Sequence, residues 1–150
     1  MRFFFFGDMG SGTNEQYQVA DALKNEIDNY GKKTFVCGLG DNIYEYGCKS
    51  TDDIKFKTHF EEPYSQISNK VPFYMCLGNH DYGNSDAGNK DAIHQVNYSQ
   101  LSKKWKMPST YYKFRRKQGT TIIDFFVIDT NLEFRPQEYT QAQLNKMTQL

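Results

Sequence analysis

No charge of either sign predominates in this sequence: 18 Lys and Arg face 18 Asp and Glu across 150 residues. A neutral chain has no global field to draw it to nucleic acid or to a membrane surface, and neither is expected as a partner. Long apolar runs are also missing. The run Phe3 to Phe6 gives way at once to Gly7-Asp8, too short for the apolar region of a signal peptide. No stretch approaches the length of about 20 residues that spans a bilayer. Cysteine is scarce and odd in number, and Cys37, Cys48 and Cys76 lack zinc-type pairing. Cys37 and Cys76 lie in apolar runs, where cysteine behaves as a small buried hydrophobe. That usage favours a reducing, cytoplasmic setting; nothing else in the sequence fixes a location.

What the sequence has in quantity is aromatic side chains, 12 Phe and 11 Tyr, within a hydrophobic fraction of 38%. That composition builds a packed core and excludes disorder. The length fits one domain, residues 1–150. Phe3 to Phe6 reads as a strand buried on both faces, and it breaks into the turn Gly7-Asp8-Met9-Gly10-Ser11-Gly12. Thr13 with Gln16 predicts a capping box opening a helix. Val19, Leu23, Ile27 and Tyr30 supply its apolar stripe, and Gly31 its stop. A second strand, Thr34 to Leu39, ends in Gly40-Asp41-Asn42. A helix is predicted around Asp53 to Phe60, interrupted by Pro63, and a third strand, Val71 to Leu77, ends in Gly78-Asn79-His80-Asp81. Beyond these lie a polar loop (Tyr82 to Lys90), a helix from about Asp91 to Ser102, and a hairpin of Tyr111 to Arg116 with Ile122 to Asp129. A last helix runs from Thr140 to Leu150.

Alternation of strand and helix predicts an α/β fold with a mainly parallel sheet flanked by helices. Functional groups of such sheets gather beyond the carboxyl ends of the strands. The three polar turns fall at those ends, so Asp8, Asp41 and Asn79 are expected to converge, with Tyr44 and His80 nearby. Oxygen-rich donors suit hard cations, and a phenol or imidazole brings in iron, zinc or manganese. A carboxylate shared by two cations about 3.5–4 Å apart suits phosphoryl transfer.

Gly7-Asp8-Met9-Gly10, Gly40-Asp41-Asn42-Ile43-Tyr44 and Gly78-Asn79-His80-Asp81 resemble the first three signature blocks of purple acid phosphatases of the small, tartrate-resistant type. That family lies within the calcineurin-like metallophosphoesterases. The likeness runs on through Tyr98 to Ser109, Phe126 to Thr130 and Thr140 to Leu144. It implies that Asp8 binds a ferric ion and that Asp41 bridges two metals. Tyr44 would be the phenolate ligand whose charge transfer to iron colours the family, and Asn79 a ligand of a divalent partner: iron, zinc or manganese. His80 would contact the substrate phosphate and assist the leaving group, with Asp81 orienting it. Glycine at position 10, where other metallophosphoesterases carry a histidine ligand, fits the purple branch.

The same resemblance implies three more metal histidines in Val-x-x-His and Gly-His-x-His blocks. This sequence has only His59, His80 and His94, and neither His59 nor His94 stands in such a block. The expectation is therefore the N-terminal half of an α/β/β/α sandwich, incomplete at its C-terminus, with the dinuclear centre incomplete in this chain. The implied activity is hydrolysis of phosphomonoesters. Two alternatives stand beside it: a non-catalytic phosphatase-derived structural or binding protein, and a fragment whose missing half lies in another chain or in a longer gene product, with a homo-oligomer or a completing chain as the expected partner.

Overall fold

The computed structural model describes residues 1–31, 33–83, 91–131 and 145. Four short strands form a parallel sheet in the order β1 (Arg2–Phe6), β2 (Thr34–Gly38), β3 (Phe73–Met75) and β4 (Trp105–Lys106). β1 is in register with β2 from Arg2 opposite Thr34 to Phe6 opposite Gly38. Helix α1 (Asn14–Tyr30) connects the first pair, and α2 (Ile54–Phe56) runs into a wide π turn, Lys57–Glu61, before β3. Helix α3 (Ala92–Tyr98) precedes β4, and an antiparallel hairpin of β5 (Tyr112–Gln118) and β6 (Thr121–Val127) follows it.

Side chains of a strand alternate between faces, and this sheet uses both. Phe4, Phe6, Val36, Phe73 and Met75 face the helical layer, packing with Ala20, Leu23, Ile27, Phe60 and Tyr64. Trp105, fully buried, meets Phe60 edge-on at 4.8 Å and donates its indole N–H to the carbonyl of Gln95 at 3.1 Å. The opposite face carries Phe3, Phe35 and Tyr74, covered by the hairpin. Phe114 stacks on Tyr74 at 3.8 Å and on Phe125 at 4.8 Å. Such pairs add roughly 0.5–1.5 kcal/mol each beyond area burial. The hairpin's outer face leaves Ile122 and Phe126 exposed.

Several elements differ in detail from their sequence readings. The buried stripe of α1 is Gln16, Ala20, Leu23 and Ile27, while Val19 is 52% exposed. The capping box does not form. Gln16 instead accepts from the N–H of Gly12 at 2.7 Å and donates to the carbonyl of His59 at 2.6 Å, because the side chain is drawn inward to bridge α1 and the π turn. Gly31 does stop the helix, at φ 60°, its N–H bonded to Ile27 O. β3 is shorter than the apolar run Val71 to Leu77. β4 has two residues, too few for any periodic pattern to announce. Of the helix expected from Thr140 to Leu150, only Asn145 is described, as helical; most of the Tyr82 to Lys90 loop also lies outside the described residues. Among the described residues, no helix is long and apolar enough to cross a membrane.

Candidate metal centre

Three loops leave the carboxyl ends of β1, β2 and β3 and interlock. Leu39 donates its N–H to Phe6 O, Asp8 to Gly40 O at 3.1 Å, and Tyr44 to Gly10 O at 2.8 Å. Contact this close requires glycine at two positions. A Cβ on Gly10 would sit 1.8 Å from the carbonyl oxygen of Asn42, and one on Gly78 2.2 Å from Oδ1 of Asp41. Asp8 and Asp41 themselves adopt left-handed backbones, φ 53° and 50°. Aspartate tolerates that region better than most residues, yet the conformation costs free energy and persists where surroundings impose it.

The result is a cluster of oxygens. The Tyr44 hydroxyl donates to Asp8 Oδ1 at 2.5 Å and lies 3.2 Å from Asp41 Oδ2. Burial, the hydrogen bond to Asp8 and the charges of Asp41 and Asp8 push the phenol well above its usual value. It therefore keeps its proton, which holds two carboxylates together that would otherwise repel. The other oxygen of Asp41 accepts from the backbone N–H of His80 at 3.0 Å. The His80 ring leans on that of Tyr44, centroids 4.6 Å apart, with Nδ1 2.6 Å from Glu45 O. A carbonyl can only accept, so Nδ1 donates to it and Nε2 is left for other partners.

Asp8, Asp41, Tyr44 and His80 are thus brought together. Asn79 stands exposed at the head of a single 3-10 turn, His80–Tyr82, and among the described residues the hydrogen bonds of the cluster do not include its amide. The expected pairing of Asp81 with His80 is corrected. Asp81 is fully buried and accepts from Asn42 N at 2.9 Å, Ile43 N at 3.2 Å and Gly78 N at 2.8 Å. It also accepts from the side-chain amides of Asn42 at 3.0 Å and Gln95 at 2.7 Å. It clips the second and third loops to each other, and the imidazole takes Glu45 O instead. Burial pushes the Asp81 carboxyl up to about 6, against the pull of the hydrogen bonds from Gln95, Gly78 and Asn42.

Asn42 and Gln95 are the members that sequence reasoning missed. Asn42 reads as a turn former, but its Nδ2 donates to Cys76 O at 2.7 Å as well as to Asp81 and Gln95. Three acceptors fix the orientation of the amide and leave its Oδ1 buried without a donor among the described residues. Such an orphan costs about 1–3 kcal/mol. Gln95 has no motif to flag it; a polar residue on a short helix ordinarily faces water.

The donor set fits a hard cation: two carboxylates and a phenol oxygen meet at one point, held there by a proton that a cation can replace. Among the described residues, no group of three or more His, Cys, Asp or Glu side chains stands ready to hold a metal, so these oxygens are the site's own contribution.

The family model for calcineurin-like phosphoesterases matches residues 1–148. Human tartrate-resistant acid phosphatase type 5 is 35% identical over 138 residues, covering 87% of this chain and 41% of that protein. Purple acid phosphatase 4 of Arabidopsis thaliana is 42% identical over 81 residues, 53% of this chain and 24% of that protein. This chain spans about two-fifths of the length of the tartrate-resistant relative, at 41%. Among solved structures, GAP50, the anchor in the inner membrane complex of Plasmodium, superposes with a TM-score of 0.77 at 26% identity, covering 98% of this chain and 48% of that one.

Proposed function

This chain belongs to the calcineurin-like phosphoesterase family, and on that premise we propose that its oxygen cluster is the nucleus of a phosphomonoesterase centre. The observation that carries the reading is the Tyr44 hydroxyl lodged between Asp8 and Asp41 at 2.5 and 3.2 Å. Asp8, Asp41 and Tyr44 would hold one cation, with Asp41 and Asn79 reaching a second. Iron, zinc or manganese bound there supplies Lewis acidity toward a phosphoryl oxygen. The proton that Tyr44 donates to Asp8 would give way to a cation held there and pass to solvent. His80, its Nδ1 tied to Glu45 O, would give a proton from Nε2 to the alkoxide that leaves as water attacks the phosphorus. Asp81, Asn42 and Gln95 touch no substrate; they hold the backbones of Asp41 and His80 at the spacing that chemistry needs.

The likeness to an anchor protein favours a second reading, in which the fold serves for binding and the loops are inherited scaffold. Hydrolysis of p-nitrophenyl phosphate separates the two. The first reading expects turnover with added iron, zinc or manganese, reduced about a hundredfold or more by Asp41→Asn. No turnover with any of the three metals supports the anchor reading.

A further inference from the structure

At the opposite pole of the sheet, beside the amino ends of β1, β2 and β3, lies a cavity of about 900 Å³. β1 is five residues long, so the sheet separates this cavity from the oxygen cluster by about 16 Å at roughly 3.3 Å per residue. Five cations line it: Lys33, Lys70, Arg115, Arg116 and Lys117, with no Asp or Glu among the described lining residues. In a chain with as many acids as bases, that is a marked local imbalance. Arg115 is matched by a bidentate pair with Asp124 at 2.6 and 2.8 Å. Arg116 is held over Phe35, Tyr74 and Phe114, 4.7 to 5.4 Å from the ring centroids, which fixes its position without neutralising it. None of the ion pairs among the described residues involves Lys33, Lys70 or Lys117. Unmatched like charges around a concavity repel one another, and a bound anion relieves that repulsion.

We propose that this cavity is a binding site for an organic polyphosphate, independent of the oxygen cluster and of the phosphatase reading. Four unmatched cations suit a ligand carrying several negative charges. The volume, at the upper end of small-molecule sites, exceeds what inorganic phosphate fills. Pro72, half-buried in the wall, offers an apolar surface to the ligand's organic body, while Phe35 lies buried beneath Arg116.

Calorimetric titration with ATP, in EDTA to exclude divalent cations, tests this. Saturable binding is expected, weakening as salt is raised, and tripolyphosphate should bind more weakly than ATP. The triple variant Lys33→Glu, Lys70→Glu, Lys117→Glu should lose at least about tenfold in affinity while keeping the wild-type circular dichroism spectrum and melting temperature. An Asp8→Asn, Asp41→Asn variant should bind ATP as the wild type does. The proposal is overturned by no saturable binding to the wild type, by undiminished binding to the charge-reversed variant, or by loss of binding in the aspartate variant. Equal affinity for tripolyphosphate would overturn the organic component.

Discussion

At the carboxyl ends of β1 to β3 the chain collects Asp8, Asp41 and Asp81. At the amino ends of the same strands it collects Lys33, Lys70, Arg116 and Lys117. The two poles handle charge differently. Each carboxylate of the first pole is met by directional donors: the Tyr44 phenol, the His80 N–H, and the five N–H groups that converge on Asp81. That order is bought with two left-handed aspartates and an orphaned Asn42 oxygen. The lysines of the second pole are exposed and unpaired in ion bridges among the described residues. Charge embedded in a network fixes geometry, whereas charge at a solvated rim sets only local potential. Substitutions at the two poles should differ accordingly.

The largest effect is expected from Asp81→Ala, which strands buried donors on two loops and should cost roughly 3–5 kcal/mol. Urea unfolding measures it, and a loss below about 1 kcal/mol would contradict the clip. Next comes the pH dependence of that clip. With the carboxyl raised from 3.8 to about 6, the folded chain holds a proton between those values that the unfolded chain has released. The contribution of Asp81 to stability is therefore fully present below pH 3.8 and fades as pH rises through about 6. Stability measured from pH 4 to 7 should lose that component in Asp81→Asn; identical pH profiles would count against it. Smaller still, Asp8→Asn should weaken cation binding about ten- to hundredfold, read by titration calorimetry. At the other pole, Lys70→Ala should change stability by less than about 0.5 kcal/mol; a larger change in thermal melting would mean the basic rim is structural.

Much of the first pole was legible in the sequence because each ligand-bearing turn follows an apolar strand and contains glycine. Asp8, Asp41, Tyr44 and His80 lie together as that pattern implies. Phe3 to Phe6 and Thr34 to Leu39 were visible as strands because both faces of the sheet are covered. The clip was not legible, since Asn42 and Gln95 act through partners 14 to 53 residues away in sequence, and no local pattern encodes such pairing. Asp81 was noticed but given the wrong neighbour; adjacency in sequence suggested His80, while burial directed the carboxylate to backbone donors. The basic cavity was read only in part. Arg115-Arg116-Lys117 is a short basic run at a strand end, and only the hairpin's return over the sheet sets it beside Lys33 and Lys70.

Asp8, Asp41 and Tyr44 are proposed to form a cation site. Ferric ion titrated into the purified chain, followed by visible absorption, tests it most directly. A saturating charge-transfer band that disappears in Tyr44→Phe is the predicted result. No band, or a band that survives Tyr44→Phe, would contradict it.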